Sequence, residues 1–314
     1  MKVVRIVLCI LLLSALLIAP PFLSDMARKD FFAEKRKLPI PEFSGTVTLY
    51  HIVSDRTYAG SLTSWLESNA KLYEKKHKGT HIIIEGMTEP YYLERIQYGR
   101  VPDAYSFFSG ILEEDLLQPF ETEQISLKTG LNDLENAVPY CYSGYCAIES
   151  NSNDAPLPEG DPIATVLMNS NAQGVITDFR SAGDCLRRET YGSSYSVSSC
   201  GNFTDQVCWL GIDRRTDEEK AHVLADFFAF LRAPLQQQTL SHLGAFSVLQ
   251  SVTDTAPLRE WKEIYTGYQT VTTVDPFQLA RNRGALTADA EKAQGGDTEA
   301  WIRFQSRIEQ ILCK

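Results

Sequence analysis

Alternating runs of apolar and polar residues predict a strand–helix–strand start to the folded part of the chain. The segment TVTLYHIV (46–53) has the β-branched and aromatic content of a strand. In LTSWLESNAKLYEKKHKG (62–79) apolar side chains recur every three to four residues, which indicates an amphipathic helix that ends at Gly79. The same criteria predict a buried strand at THIIIEGM (80–87), a short helix at YYLERIQYG (91–99) and a third strand at AYSFFSG (104–110).

This alternation of strands and helices is typical of a doubly wound α/β fold. Such sheets bind ligands beyond the carboxyl ends of their parallel strands. We therefore expect ligand contacts from His51 after the first strand, from residues 87–92 after the second and from residues 106–109 after the third.

The pattern changes after residue 138. VPYCYSGYCAIES (138–150) is strand-like with an internal glycine, and the Asn-, Asp- and Pro-rich segment 151–162 predicts a loop. A helix, a turn, a strand and a helix are predicted over 163–189, and an apolar strand over FTDQVCWLGI (203–212). The last two predictions are a helix over 216–233, capped by Thr216, and an amphipathic helix over 301–312.

The N-terminus predicts export. Lys2 and Arg5 precede an apolar run over residues 6–23, the arrangement of an export signal. No clear cleavage site follows, so residues 1–25 are either a signal peptide removed on secretion or an anchor in which residues 6–23 tether the protein to a membrane. Residues 26–43 are charged and then proline-marked, which suits a linker. Both alternatives predict an extracytoplasmic protein.

Composition and charge narrow the function. The 314 residues are 44% hydrophobic and 22% charged, which is ordinary for a globular protein, and the formal charge of −10 argues against a nucleic-acid partner. The five histidines are far apart and lack metal-binding spacing, so we expect no metal and no cofactor. No nucleophile elbow, P-loop or dinucleotide fingerprint is present. We therefore expect a protein that is not an enzyme.

Seven cysteines fit an oxidising exterior and a disulfide-bonded protein. CYSGYC (141–146) has neither redox nor zinc spacing. Cys185 and Cys200 bracket a polar stretch that a crosslink would stiffen, whereas Cys208 is equally well explained as a buried free thiol. Spacing alone leaves the connectivity open.

Seven segments, in this order and spacing, resemble one protein family. They are GTVTLYHI (45–52), WLESNAKLYEKKHKG (65–79), PDAYSFFSG (102–110), VPYCYSGYCAI (138–148), AQGVITDFR (172–180), FTDQVCWLGID (203–213) and ADFFAFLRAPLQQQTLSHLGAFSV (225–248). Together they resemble the extracellular solute-binding proteins of ABC transporters, in the sugar-binding branch that includes maltose-binding protein. The likeness runs from residue 45 to residue 314.

The resemblance implies a two-lobe periplasmic-binding-protein-like α/β fold of type II, with lobes joined by crossing strands. The first lobe would contain residues 44–139 and 208–248, and the second residues 140–207 and 249–314. The implied function is capture of a sugar by hinge closure, as a monomer that delivers it to ABC permease subunits in a membrane. The second lobe is shorter than in the family, which leaves open a non-transporting sensor or interaction protein on the same fold.

Sugar sites combine aromatic faces with charged or polar side chains that bind hydroxyls. Asp103 is expected at the carboxyl end of a strand, at the cleft and facing Asp178, although it could be a turn or cap carboxylate. We expect Tyr105 or Phe107 to stack on a sugar ring, because strand alternation would send one of the two into the core. Asp178 and Arg180 follow a strand and either bind a polyol or pair with each other.

The remaining candidates are aromatic residues and a histidine. Tyr140 and Tyr142 lie at the first crossover, where a period of two predicts that both face the cleft floor. Trp209 and Trp261 could stack on a ligand, although large aromatic side chains are more often core. His51 is a weaker candidate, since a lone histidine after a strand is commonly a surface or hydrogen-bonded structural residue.

Overall fold

Two β-sheets organise the chain in the computed structural model, which describes residues 43–53, 60–151, 155–168, 174–188, 195–256 and 261–313. The strands are β1 (Gly45–Val53), β2 (Thr80–Thr88), β3 (Ala104–Phe108), β4 (Leu117–Gln118), β5 (Ala137–Tyr142), β6 (Tyr145–Ser150), β7 (Val175–Asp178), β8 (Tyr195–Ser198), β9 (Val207–Asp213) and β10 (Phe246–Ser247). The large sheet has the order β10-β5-β9-β3-β1-β2, with β4 beside β9, and the small sheet has the order β7-β6-β8.

The large sheet is mixed. β1 pairs in parallel with both β2 and β3, as the strand–helix alternation predicts. β9, which comes about 100 residues later, inserts antiparallel between β3 and β5. The small sheet is antiparallel throughout, with β6 between β7 and β8. The chain therefore leaves the large sheet after β5, builds the small sheet and returns as β9.

Nine α-helices flank these sheets in the described part of the chain. They are α1 (Leu62–Glu74), α2 (Glu89–Gln97), α3 (Pro162–Leu167), α4 (Phe179–Arg188), α5 (Glu218–Leu231), α6 (Pro234–Thr239), α7 (Lys262–Gly267), α8 (Pro276–Gln294) and α9 (Thr298–Ile311). Asp217, rather than the predicted Thr216, caps α5 by accepting a hydrogen bond from Lys220 N–H. Asp275 and Asp297 cap α8 and α9 in the same way.

The two faces of the large sheet contribute to separate hydrophobic clusters. Val47 and Leu49 of β1 point toward α1 and α5, in what we call the helix-side cluster. Tyr50 and Ile52, one position out of phase, belong to a second cluster that also contains residues of the small sheet. We call this second group the junction cluster, because Ile148 of β6 and Phe179 of α4 are members of it.

A bulge in β5 changes the predicted orientation of its tyrosines. The register of β5 against β9 shifts between Pro139 and Cys141. As a result Tyr140 lies in the helix-side cluster and Tyr142 in the junction cluster. The prediction that both tyrosines share one face is wrong, because the extra residue breaks the period of two.

The predicted N-terminal signal or anchor (residues 1–25) and nearly all of the linker lie outside the described residues. Within the described residues, no helix is both long enough and apolar enough to cross a membrane. The six cysteines from Cys141 to Cys313 are free thiols, so the predicted disulfides are not formed in this structure.

Candidate functional site

Three chain segments run side by side where the two sheets meet. The first is the step from β5 to β6 through Ser143 and Gly144, the second is the return over residues 199–206, and the third is residues 270–274 before α8. Ser143 N–H donates to Gln206 O at 3.0 Å, and Thr204 N–H donates to Thr272 O at 2.9 Å. These backbone bonds join the segments into a narrow three-stranded connection, which we call the hinge.

Tyr268 contacts two of the hinge segments through its hydroxyl and its ring. Its hydroxyl accepts a hydrogen bond from Tyr145 N–H at 2.8 Å and lies 3.1 Å from the carbonyl oxygens of Tyr145 and Phe203, to which it can donate. The ring lies against Gly144: a Cβ at that position would come within 2.4 Å of Tyr268 Cζ. Glycine is therefore required at residue 144 for close approach rather than for an unusual backbone conformation.

Aromatic side chains from both sides of the hinge pack together beside it. Phe179, the first residue of α4, packs at ring-centroid distances of 4.9 Å from Trp261 and 5.7 Å from both Phe246 and Tyr268. Phe179 N–H also donates to Gly144 O at 3.2 Å. The start of α4 is thus held against the hinge by an apolar contact and a backbone hydrogen bond.

A buried ion pair supports this aromatic packing. The Lys128 ammonium hydrogen-bonds to Asp254 and lies 5.4 Å from the centre of the Tyr142 ring. Burial lowers the pKa of Lys128 and raises the pKa of Asp254, while each partner opposes the shift of the other. Asp254 also accepts a hydrogen bond from Ser247 N–H at 2.8 Å. The pair therefore ties the segment after β10 to the large sheet.

Asp103 is not at the predicted end of its strand. It precedes β3, whose first residue pairs with Leu49, and so lies at the amino end of the parallel strands. Its carboxylate accepts hydrogen bonds from Thr48 N–H and from the Lys220 ammonium, each at 2.8 Å. The prediction that Asp103 lies at the carboxyl end facing Asp178 is wrong, because the strand starts after Asp103 rather than ending there.

Tyr105, Phe107 and Trp209 all belong to the junction cluster and are buried. Tyr105 and Phe107 are two positions apart and share a face, so the expectation that alternation separates them is wrong. Trp209 Nε1–H donates to Ser109 Oγ at 2.9 Å, and the Phe107 ring lies 6.2 Å from that of Phe277. No stacking face is free on these three side chains.

The Tyr105 hydroxyl hydrogen-bonds to a buried carboxylate, that of Asp213. It donates to Asp213 Oδ2 at 2.8 Å, and Arg215 Nε–H donates to Asp213 Oδ1 at the same distance. Burial, reinforced by Asp213, raises the pKa of Tyr105. Burial alone would raise the pKa of Asp213, but hydrogen bonds from Arg215 and Tyr105 hold that pKa below its usual value. The hydrogen-bonded set of Tyr105, Asp213 and Arg215 therefore has a structural role at the end of β9.

His51 and Tyr140 take part in a buried polar network on the opposite face of the sheet. His51 Nδ1 lies 2.8 Å from Ser106 Oγ, which lies 2.9 Å from the Tyr140 hydroxyl. The Cys208 thiol donates to the same hydroxyl at 3.2 Å, and the Trp65 ring stacks on Tyr140 at 5.8 Å. Both predicted residues are almost wholly buried, so this network satisfies core polar groups.

Tyr142 and Trp261 are also core residues. The Tyr142 hydroxyl donates to Tyr268 O at 2.6 Å, and its ring stacks on Phe246 at 4.9 Å. Trp261 is buried in the junction cluster. Of the ten predicted ligand residues, seven aromatic or histidine side chains are therefore packed inside the protein and Asp103 is occupied elsewhere.

Asp178 and Arg180 are the two predicted residues that remain partly exposed beside the hinge. Asp178 pairs in register with Tyr145, directly after Gly144, and its carboxylate accepts a hydrogen bond from Ser181 N–H at 2.9 Å. Arg180 Nε lies 4.0 Å from Asp184, and 42% of its side chain is exposed. The two residues do not form the alternative Asp178–Arg180 pair among the ion pairs found in the described chain.

The structure adds polar residues that sequence reasoning did not single out. The Tyr145 hydroxyl lies 2.6 Å from Asp205 Oδ1 and 3.2 Å from Asp161 Oδ2, so two carboxylates converge on one hydroxyl at the hinge. Asp161 also caps α3 through Ala164 N–H. Asp205 could have been found from the sequence, because it is a charged residue in a segment predicted to cross between the lobes.

A second surface lies along α2, away from the hinge. Tyr91, Glu94, Arg95, Tyr98 and Arg100 line an open depression, and Tyr98 is 76% exposed. Positions 91, 94, 95 and 98 recur at helical spacing, while Tyr92 points into the core. Within the described residues no group of three or more His, Cys, Asp or Glu side chains could hold a metal ion.

Sequence comparison does not place the chain: no protein-family model matches it and no curated protein matches it. The fold does match solved structures. Maltose-bound extracellular solute-binding protein from Staphylococcus aureus superposes with a TM-score of 0.55 at 10% identity, over 87% of this chain and 98% of that chain. The GacH receptor of Streptomyces glaucescens, solved unliganded and with acarbose, gives 0.55 at 11% identity over 86% and 100%.

Iron-bound HitA from Pseudomonas aeruginosa also matches, with a TM-score of 0.51 at 13% identity over 78% of this chain and 99% of that chain. Further matches include an ABC substrate-binding protein from Listeria monocytogenes in complex with cycloalternan and a protein solved with mannobiose bound. The similarity is structural and not sequence-based. The chain has the type II periplasmic-binding-protein-like fold, that of extracellular solute-binding proteins.

Proposed function

We propose that this protein is an extracytoplasmic solute-binding protein that captures a carbohydrate for an ABC importer and is not an enzyme. The hinge is the observation that carries the proposal: residues 143–144 and 199–206 link the large sheet to the small one in opposite directions, and residues 270–274 run beside them, joined by backbone hydrogen bonds. Such a connection allows two bodies to close on a ligand by small backbone rotations. The two sheets would be the cores of two lobes, with residues 44–139 and 208–248 in one and residues 140–207 and 249–314 in the other.

The carbohydrate class is supported by the fold matches and by the chemistry near the hinge. Solved structures of this fold are described with maltose, acarbose and cycloalternan. Asp178, Arg180 and Asp205 are partly exposed charged residues around residues 143–145, and ionised groups make the stronger hydrogen bonds to hydroxyls. We propose that they bind sugar hydroxyls at the rim of the junction cluster.

Export and membrane partners belong to the same proposal. Residues 6–23 would either hold the protein at the membrane or be removed with the signal peptide. The folded part would act as a monomer that presents the closed, loaded form to permease subunits. A net charge of −10 disfavours approach to nucleic acid and does not oppose binding of a neutral sugar.

The test is a binding titration with a matched pair of variants on α4. Arg180 and Arg187 both pair with Asp184 and are similarly exposed, at 42% and 44% of the side chain. They are two helical turns, or about 10 Å, apart, and only Arg180 is in the turn beside the hinge. We expect one oligosaccharide from a panel that includes maltose, acarbose and mannobiose to bind saturably by calorimetry.

Arg180→Ala should weaken that binding by about 10- to 150-fold, the equivalent of about 1.5–3 kcal/mol for a hydrogen bond to a charged group. Arg187→Ala should leave the affinity within about twofold. A sugar at a hundred times its Kd should also raise stability by about 2.7 kcal/mol in a thermal-shift assay. A folded protein that binds no member of the panel would contradict the proposal.

A second candidate is a non-transporting sensor or interaction protein with the same fold. It is favoured by one observation: the aromatic side chains expected to stack on sugar are buried among their neighbours. This candidate predicts no response to the sugar panel, and a neighbouring gene for a kinase or receptor instead of permease subunits.

A further inference from the structure

Four cysteines border the two segments of the hinge that connect the large sheet to the small one. Cys141 and Cys146 flank the step from β5 to β6, and Cys200 and Cys208 flank the return to β9. All four are buried free thiols in the structure. The unusual spacing of CYSGYC, which fits neither a redox nor a zinc motif, is therefore explained by position: the cysteines lie at the ends of a crossing segment.

Cys141 and Cys208 are directly opposed. They are register partners on the adjacent antiparallel strands β5 and β9, and both side chains are in the helix-side cluster. Opposed residues on antiparallel strands have Cα atoms about 4.5–5.5 Å apart, within the range of about 4.4–6.8 Å that a disulfide spans. Burial, and next the neighbouring Cys208 thiol, raise the pKa of Cys141.

The other two cysteines are not arranged in this way. Cys146 lies in the junction cluster, whereas Cys200 lies in a separate cluster with residues of α8 and α9. The Cys200 thiol contacts Met168 Sδ at 3.1 Å. Cys146 and Cys200 lie in different clusters at the other end of the hinge, but Cys200 is near enough to reinforce the burial that raises the pKa of Cys146, so this pair is the competing control.

We propose that Cys141 and Cys208 form a disulfide when the chain folds in an oxidising compartment, and that this bond staples β5 to β9 where the hinge leaves the large sheet. One cysteine thiolate would attack the disulfide of a thiol oxidoreductase to give a mixed disulfide, and the second thiolate would displace the oxidoreductase sulfur. The protein loses two protons and two electrons, and the oxidoreductase disulfide becomes a dithiol. The oxidising compartment in which the bond would form rests on the export proposed above, whereas the opposed arrangement of Cys141 and Cys208 does not.

The position of the bond determines both its timing and its effect. Cys141 and Cys208 are 0–1% exposed, so exchange has to occur before β5 and β9 are covered, and reductants act slowly on the native protein. The staple would hold Tyr142 and Val207, the next register pair, in place. In these two segments, bending on ligand closure would then be confined to residues 143–144 and 199–206.

The bond can be tested on the full chain without any ligand. The denatured, reduced protein is refolded in detergent with oxidised and reduced glutathione, alkylated in denaturant without reductant, digested with chymotrypsin and analysed by mass spectrometry. Cleavage after Tyr142 or Tyr145 separates Cys141 from Cys146, and cleavage after Phe203 separates Cys200 from Cys208. We expect one crosslinked peptide pair, joining Cys141 to Cys208, and alkylated Cys146 and Cys200.

Stability gives a second readout. Reducing the refolded protein in denaturant and refolding it without oxidant should lower Tm by about 5–10 °C, and the Cys141→Ala/Cys208→Ala variant should show no such redox-dependent difference. Cys146→Ala should keep the difference. Alkylation of both Cys141 and Cys208 after oxidative refolding, or a crosslink of either to Cys146 or Cys200, would overturn the proposal. Because no sugar is involved, these outcomes are independent of the proposed ligand.

Discussion

Substituting Gly144 by alanine tests the close contact on which the hinge depends. The added Cβ would lie 2.4 Å from Cζ, 2.6 Å from Cε1 and 2.8 Å from the hydroxyl oxygen of Tyr268. The Tyr268 ring cannot simply move away, because it is fully buried and stacked on Phe246 at a centroid distance of 5.3 Å. Its hydroxyl is also bonded to the backbone of Tyr145. Either the ring or the hinge backbone therefore has to shift.

The magnitude follows from two costs. Overpacking a well-packed site costs about 1–3 kcal/mol, and weakening the hydrogen bond from Tyr145 N–H adds about 0.5–1.5 kcal/mol. We expect Gly144→Ala to lower the free energy of unfolding by about 2–4 kcal/mol, measured by urea denaturation at unchanged m-value.

Gly284 provides the control. It lies within α8, and an added Cβ there would meet nothing within 4 Å. Gly284→Ala should be neutral or stabilising by up to about 1 kcal/mol, as for any exposed helical glycine. A double-mutant cycle with Tyr268→Ala should remove most of the cost of Gly144→Ala, since the clashing atoms are gone. A Gly144→Ala protein within about 0.5 kcal/mol of wild type would refute the account of the hinge.

Three further predictions concern charged groups. Asp103→Ala should lower the free energy of unfolding by about 1–3 kcal/mol, because it removes the hydrogen-bond acceptor of Lys220. It should leave sugar affinity unchanged, and weaker sugar binding in calorimetry would contradict the position of Asp103 at the amino end of β3, away from the ligand. Because the pKa of Asp213 is lowered in the folded protein, its carboxylate stabilises the fold above the unfolded-state pKa of about 3.9, and this stability is lost as pH falls through the folded-state pKa. Below about pH 4 the free energy of unfolding of wild type should therefore fall more steeply with pH than that of Asp213→Asn. Equal dependence of the two proteins on pH would exclude this role. Lys128→Met should cost about 3–5 kcal/mol, because it leaves Asp254 buried and unpaired, and adding Asp254→Leu should recover part of that loss; full additivity would argue against the pair.

The sequence predicted the helices and strands whose formation depends on residues close together in the chain. The strand composition of β1 and the apolar stripe of α1 are read directly from residues 45–74, and the structure confirms both. β2 forms where it was predicted, but the prediction that it is buried is wrong, because it is the edge strand of the large sheet and Ile83 is 47% exposed. The return of the chain to the first lobe near β9 came from the family resemblance and not from periodicity, and the insertion of β9 between β3 and β5 was not predicted. Pairings such as Lys128 with Asp254, 126 residues apart, have no local signature at all.

Two predicted placements were wrong because a local signal was misread. Pro102 favours the start of a strand, and β3 does start after it, so the proline indicated the amino end and not the ligand-binding end. Pro139 was likewise a signal for the bulge that separates Tyr140 from Tyr142. The burial of aromatic candidates could not be read from residue type, since Tyr and Trp suit both cores and sugar sites.

The most direct test of the proposed capture mechanism is the distance between the two sides of the hinge during a sugar titration. Fluorescent labels at Leu72→Cys on α1 and Ile302→Cys on α9 occupy positions that are 46% and 60% exposed, in a Cys313→Ser background that removes a partly accessible thiol. The account predicts that energy transfer changes saturably, with the same midpoint as binding measured by calorimetry. Constant transfer while the sugar saturates the protein would contradict it.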